Sequence, residues 1–183
     1  MWWLNKPQYL LLLLLFTGSI NTTAQNSDWS PVLKGKIEKA LISVYESDEL
    51  DFELVNIDSS SDEATPSKLE GHFFKVFISN AFKGYAYVAQ APSMKNVFDY
   101  LVIFNADLSI EKAKVLIYRE QHGRQIGAAR WLNQFKGMNT SNRPILGAEV
   151  DGISGATISA RGMTIAINEL LSSLSMLKEK GLL

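Results

Sequence analysis

The sequence predicts an α+β fold, an antiparallel β-sheet packed with helices, on three observations. Four short runs rich in aromatic and β-branched residues follow one another between residues 72 and 118. The connections between them, residues 80–84, 91–96 and 105–109, are too short for parallel crossovers, so neighbouring strands pair antiparallel. Before and after the runs, apolar residues recur at helical spacing.

Taken in order, Ser30 followed by Pro31 reads as an N-cap and first-turn pair. Leu33, Ile37, Ala40, Leu41, Val44 and Tyr45 then mark a helix over residues 31–45. Residues 50–57 read as a short strand, and residues 58–67, with four serines and Pro66, as a mobile loop. The four sheet strands follow over residues 72–79, 85–90, 98–104 and 110–118. Residues 126–135 read as a short helix, and a last helix starts near Thr157. Its apolar face carries Met163, Ala166, Ile167, Leu170, Leu171, Leu174 and Leu177, and Gly181 ends it. The resulting division is a signal peptide over residues 1–24, an N-terminal helix and acidic polar loop over 25–70, and a main domain over 71–183.

Composition narrows the function classes. At 183 residues and 46% hydrophobic, the chain has apolar material for one core. A formal net charge of −1 gives no overall basic field to draw nucleic acid or acidic lipid. The acids concentrate between Glu46 and Glu63, which reads as a solvated face and loop. The absence of cysteine removes disulfides, thiolate catalysis, cysteine-ligated iron–sulfur clusters and c-type haem attachment, so redox chemistry would need an organic cofactor. Near the start, Lys6 precedes an apolar stretch over residues 9–16, followed by Thr22, Thr23 and Ala24. That order reads as an export signal with the mature chain starting near Gln25, or as an uncleaved segment holding the protein at the membrane.

The densest chemistry lies where the last loop turns into the last helix, at Asp151-Gly152-Ile153-Ser154-Gly155-Ala156-Thr157-Ile158-Ser159. A helix start presents unpaired N–H groups and the positive end of its dipole, which suits a phosphate. Gly152 and Gly155 let backbone approach a ligand, and Ser154, Thr157 and Ser159 bring hydroxyls. From position alone, Thr157 reads as a hydroxyl capping its own backbone, as most helix-start hydroxyls do. The glycine spacing is not that of a hydrolase nucleophile elbow, and no dinucleotide or P-loop pattern occurs.

The pattern Asp151, Ser154, Gly155, Ala156, Thr157, Ser159 resembles the FMN-binding domain of the G subunit of Rnf electron-transport complexes and the C subunit of sodium-translocating NADH:quinone reductases. A second stretch, from Tyr118 through Glu120 and Gly123 to Gly127, with Trp131 to Gly137 beyond it, is similar to the family's segment after its last strand. Membrane-complex members carry Glu-Thr-Pro-Gly there; this chain keeps Glu120 and Gly123 around Gln121 and His122, as in a free-standing exported branch. The resemblance spans residues 71–181. It implies FMN held covalently by a phosphoester to Thr157, attached by a magnesium-using flavin transferase, in an electron carrier serving redox partner proteins at or outside the membrane.

The resemblance leaves several roles divided. Ser154 and Ser159 would cap the helix or contact phosphate, and Asp151 would cap a loop or hold the metal during attachment. Glu120 would bond the loop that meets the flavin or merely finish a strand, and Gly123 would allow a backbone turn. Trp131 and Phe135, four apart, read as core unless the resemblance places them beside the flavin. Two other functions stay open: a module binding FMN reversibly for storage, sensing or delivery, and an exported interaction domain with a degenerate site.

Overall fold

The fold, a computed structural model described over residues 29–183, begins where Ser30 caps helix α1 (Pro31–Tyr45). The Ser30 hydroxyl oxygen accepts the Leu33 N–H at 3.3 Å, and Pro31 occupies the first turn, where a missing N–H costs nothing. The export-signal reading of residues 1–24 lies outside the described residues.

Five strands form one antiparallel sheet in chain order: β1 (Leu50–Leu54), β2 (Phe73–Ile78), β3 (Ala81–Pro92), β4 (Val97–Asn105) and β5 (Ile110–Ile117). β4 is buried between its two exposed end residues because both of its faces are covered. Phe98, Tyr100, Val102 and Phe104 face one way, onto the last helix; Leu101 and Ile103 face the other, onto α1. The larger core gathers around Met163, Ile167, Leu170, Leu171, Leu174 and Leu177 of helix α4 (Thr157–Glu179). The smaller core is closed by Ile37, Ala40 and Leu41 of α1. Gly162 lets α4 lie directly on the end of β3: a Cβ there would stand 2.3 Å from the Pro92 carbonyl oxygen.

Three local expectations are corrected. The segment read as a mobile loop over residues 58–67 contains helix α2 (Ser59–Glu63), capped by Asp58, whose Oδ1 accepts the Ser61 N–H at 2.9 Å. Within it Asp62 is buried, not solvated; its Oδ1 accepts the N–H groups of Leu69 at 2.6 Å and Glu70 at 3.0 Å. Serine and aspartate counts signal a loop, yet the same side chains can satisfy backbone donors and order it. The helix expected over residues 126–135 is three short pieces: a 3₁₀ turn (Arg124–Gly127), α3 (Ala129–Leu132) and a second 3₁₀ turn (Asn133–Phe135). No side chain caps any of them, and burial of Ile126, Trp131, Leu132 and Phe135 holds them in place. β3 also runs longer than the expected 85–90, because its pairing with β4 continues from Gly84 to Pro92.

Candidate functional site

Three segments meet at one end of the sheet. They are the β3–β4 turn, the chain leaving β5, and the loop that opens α4. Between them lies a cleft of about 580 Å³ lined by Met94, Lys95, Asn96, Tyr118, Arg119, Glu120, Gln121, His122 and the run from Gly155 to Ser159. That volume falls within the range of ~300–1,000 Å³ usual for small-molecule sites.

The α4 end of the cleft follows from a turn that only certain residues can make. Trp131 anchors its approach, donating its indole N–H to the Asp151 carbonyl at 2.7 Å, while the Gln134 side-chain oxygen accepts the Asp151 N–H at 2.9 Å. Gly155 then takes φ +77°, with nothing within 4 Å of where a Cβ would stand, so its backbone borders open space. The first N–H to find a helical acceptor is that of Ala160, on the Ala156 carbonyl at 2.9 Å. The N–H groups of Thr157, Ile158 and Ser159 are the orphan donors of a helix start, and no side chain caps this one. Thr157 is exposed, and its hydroxyl donates back to the Ile153 carbonyl at 3.2 Å. That hydroxyl stands at the positive end of a 23-residue helix.

The opposite wall is held by Glu120. One of its carboxylate oxygens accepts from the Ser93 hydroxyl at 2.7 Å, the Lys95 N–H at 2.7 Å and the Asn96 N–H at 2.8 Å. These donors, the Ser93 hydroxyl first, lower the Glu120 carboxyl from 4.5 to about 2. The segment after β5 is thereby clasped to the β3–β4 turn. Beside it Arg119 pairs with buried Asp99 at 2.6 Å and donates to the Val97 carbonyl at 3.0 Å, tying the chain leaving β5 to β4. Behind the cleft, the Tyr118 hydroxyl lies 2.9 Å from the Ser159 hydroxyl. Gly123, at φ +78°, completes the joint: a Cβ there would meet the Tyr118 hydroxyl at 2.8 Å and the Gly155 carbonyl at 3.2 Å.

Of the residues singled out in the sequence, Thr157, Gly155, Ala156, Ser159 and Glu120 line this cleft. Ser159 is buried against Tyr118, and Gly123 packs behind that tyrosine. Ser154 and Asp151 are exposed and outside the lining, with Asp151 held through its backbone. Trp131 and Phe135 are buried core residues in an edge-to-face pair, rings 5.3 Å apart. Met94, Lys95 and Asn96 were not singled out. Their only signal is a connection between two strands, and the β3–β4 register and the Glu120 clasp bring it to the site.

The residues present fit FMN. A phosphate finds orphan helix donors beside an exposed hydroxyl, with Lys95 and His122 on the rim, and Met94, Ala156 and Ile158 offer apolar surface to a ring. Residues 95–172 match the model of the FMN-binding domain family. The fold is similar to the crystal structure of Shewanella oneidensis NqrC, with a TM-score of 0.56 and 13% sequence identity over 80% of this chain and 96% of that one. No curated protein sequence matches the chain. The matched stretch contains every residue of the cleft lining except Met94. Over residues 95–172 the chain is therefore similar to the FMN-binding domain family, and that stretch carries both walls of the cleft.

Proposed function

We propose that this protein is an exported electron carrier holding FMN through a phosphoester to Thr157. The observation that carries the reading is the exposed Thr157 hydroxyl, which opens the uncapped end of α4 onto the cleft. In the ester, Thr157 Oγ1 replaces one oxygen substituent of the FMN phosphate: the Oγ1–P bond forms as a P–O bond to the leaving group breaks, and the hydroxyl proton is released. The orphan N–H groups of the first α4 turn and the helix dipole balance the remaining phosphate charge. The hydroxyl's bond to the Ile153 carbonyl orients Oγ1 before attachment, and the Glu120 clasp holds the facing wall. When bound, the flavin supplies one- and two-electron redox chemistry, while the chain sets its exposure and surroundings. A covalent link also suits an exported carrier, because a dissociable cofactor would be lost by dilution. NqrC shares the fold, and the match of residues 95–172 to the FMN-binding domain family supports a flavin at this cleft.

The test is the intact mass and visible absorbance of denatured protein, exported from a host that co-expresses a flavin transferase, with Thr157→Ala as control. The expected result is a gain of one FMN less one water, with colour that survives denaturation, both absent from the variant. No adduct with the transferase present overturns the covalent reading. Restored binding on adding free FMN would then identify a reversible FMN module.

A further inference from the structure

Folding sorts the charges of a nearly neutral chain. The carboxylates of Glu46, Asp48, Glu49, Asp51 and Glu53 collect at and just before β1, one edge of the sheet. At the β5 edge the sign reverses. Lys112 and Lys114 stand opposite Ile103 and Leu101, and so project on the α1 side of the sheet. There they meet Lys36 and Lys39, exposed on α1. The four are close enough that burial, then Lys112, Lys36 and Lys39, hold the Lys114 ammonium below its ordinary range. Among the described residues none of the four forms an ion pair, whereas Lys75, Lys136 and Arg119 all do. Glu38 is the carboxylate nearest in sequence on α1, and it pairs with none of them.

We propose that this lysine face seats the protein on an anionic lipid surface. Edge protection explains lysines on an open strand, but it does not explain Lys36 and Lys39 on a helix. An acidic protein would also complement the charge, yet one feature favours lipid. Val32 and Ile42, 64% and 40% exposed, accompany the lysines on the outward side of α1, giving the mixture of cations and apolar tips that suits a headgroup layer. None of the four lysines lines the cleft, and α4 packs on the opposite face of the sheet. A protein resting on lipid through α1 and β5 therefore keeps its cleft free for a soluble partner.

The test is sedimentation of the full chain with phosphatidylcholine vesicles, with and without phosphatidylglycerol, at low and high salt. The segment before residue 29 is common to all variants, so differences between them report the folded face. Wild type is expected to bind phosphatidylglycerol vesicles more tightly and to lose that excess in high salt. The quadruple variant Lys36→Gln, Lys39→Gln, Lys112→Gln, Lys114→Gln should lose roughly tenfold or more of the affinity for anionic vesicles. A control with the same net charge, Lys68→Gln, Lys83→Gln, Lys178→Gln, Lys180→Gln, should retain most of it, and the four lysine-to-arginine changes should retain all of it. Equal binding to neutral and anionic vesicles overturns the proposal, as does an equal loss in both quadruple variants. Binding to polyglutamate without binding to anionic vesicles overturns it in favour of an acidic protein partner.

Discussion

Glu120 acts on the site through the turn it holds. Its carboxylate takes three donors from Ser93, Lys95 and Asn96, and without it that turn has no tie to the chain leaving β5 at this point. Because the folded carboxyl sits at about 2 against an ordinary 4.5, the ionised form is the one the fold stabilises. The sign follows: the clasp contributes fully above a pH of about 4.5 and is lost as pH falls toward about 2. Asp58, also lowered to about 2, by Ser60 and then Ser61, adds a loss of the same sign elsewhere, so a difference measurement is needed. Glu120→Gln should be less stable than wild type near neutral pH, and the two denaturation midpoints should converge below a pH of about 2. A constant gap across that range would show that geometry, and not charge, makes the clasp.

At the scale of elements, the close packing of α4 on β3 sets the position of the cleft's α4 side. Two helical glycines separate intrinsic propensity from contact. Gly35 in α1 has nothing within 4 Å of a would-be Cβ, whereas at Gly162 the Cβ meets the Pro92 backbone oxygen at 2.3 Å. Alanine is favoured over glycine in a helix by roughly 0.5–1 kcal/mol, so Gly35→Ala should raise the urea midpoint. Gly162→Ala gains the same propensity but must push α4 or the β3–β4 hairpin aside, at roughly 1–3 kcal/mol, so its midpoint should fall. The same packing shows what could be read from the sequence. α1 and α4 were legible because cap residues and a 3.6-residue apolar period are local signals, as at Ser30 and along Met163 to Leu177. The strands were legible from composition, though the length of β3 depends on its partner. α2 was not, because the acceptors that order it are the residues that usually mark a loop. The α4 side of the cleft was legible as a motif. Met94, Lys95 and Asn96 were not, since they reach the cleft only through a strand register and a carboxylate from another segment.

For the molecule as a whole, charge segregation is invisible in a net charge of −1, because Lys36 and Lys39 are distant in sequence from Lys112 and Lys114. Gathering like charges opposes folding, so the lysine face should cost stability unless something outside the chain neutralises it. Lys114 is the sensitive position: it is half-buried, and the causes that lower its pKa are burial and three neighbouring lysines. Lys114→Gln keeps part of the apolar stem against the surface while removing the charge. The variant should therefore be more stable than wild type at low salt, by about 0.5 kcal/mol or less, as expected for a surface change. Screening weakens the repulsion in wild type, so the difference should shrink toward zero in high salt. Urea midpoints of both proteins at the two salt concentrations check this. A variant less stable than wild type at low salt would mean that Glu38 or another carboxylate already balances the cluster. The same measurement with phosphatidylglycerol vesicles added should reverse the order, because only wild type then gains a partner for the charge it concentrates.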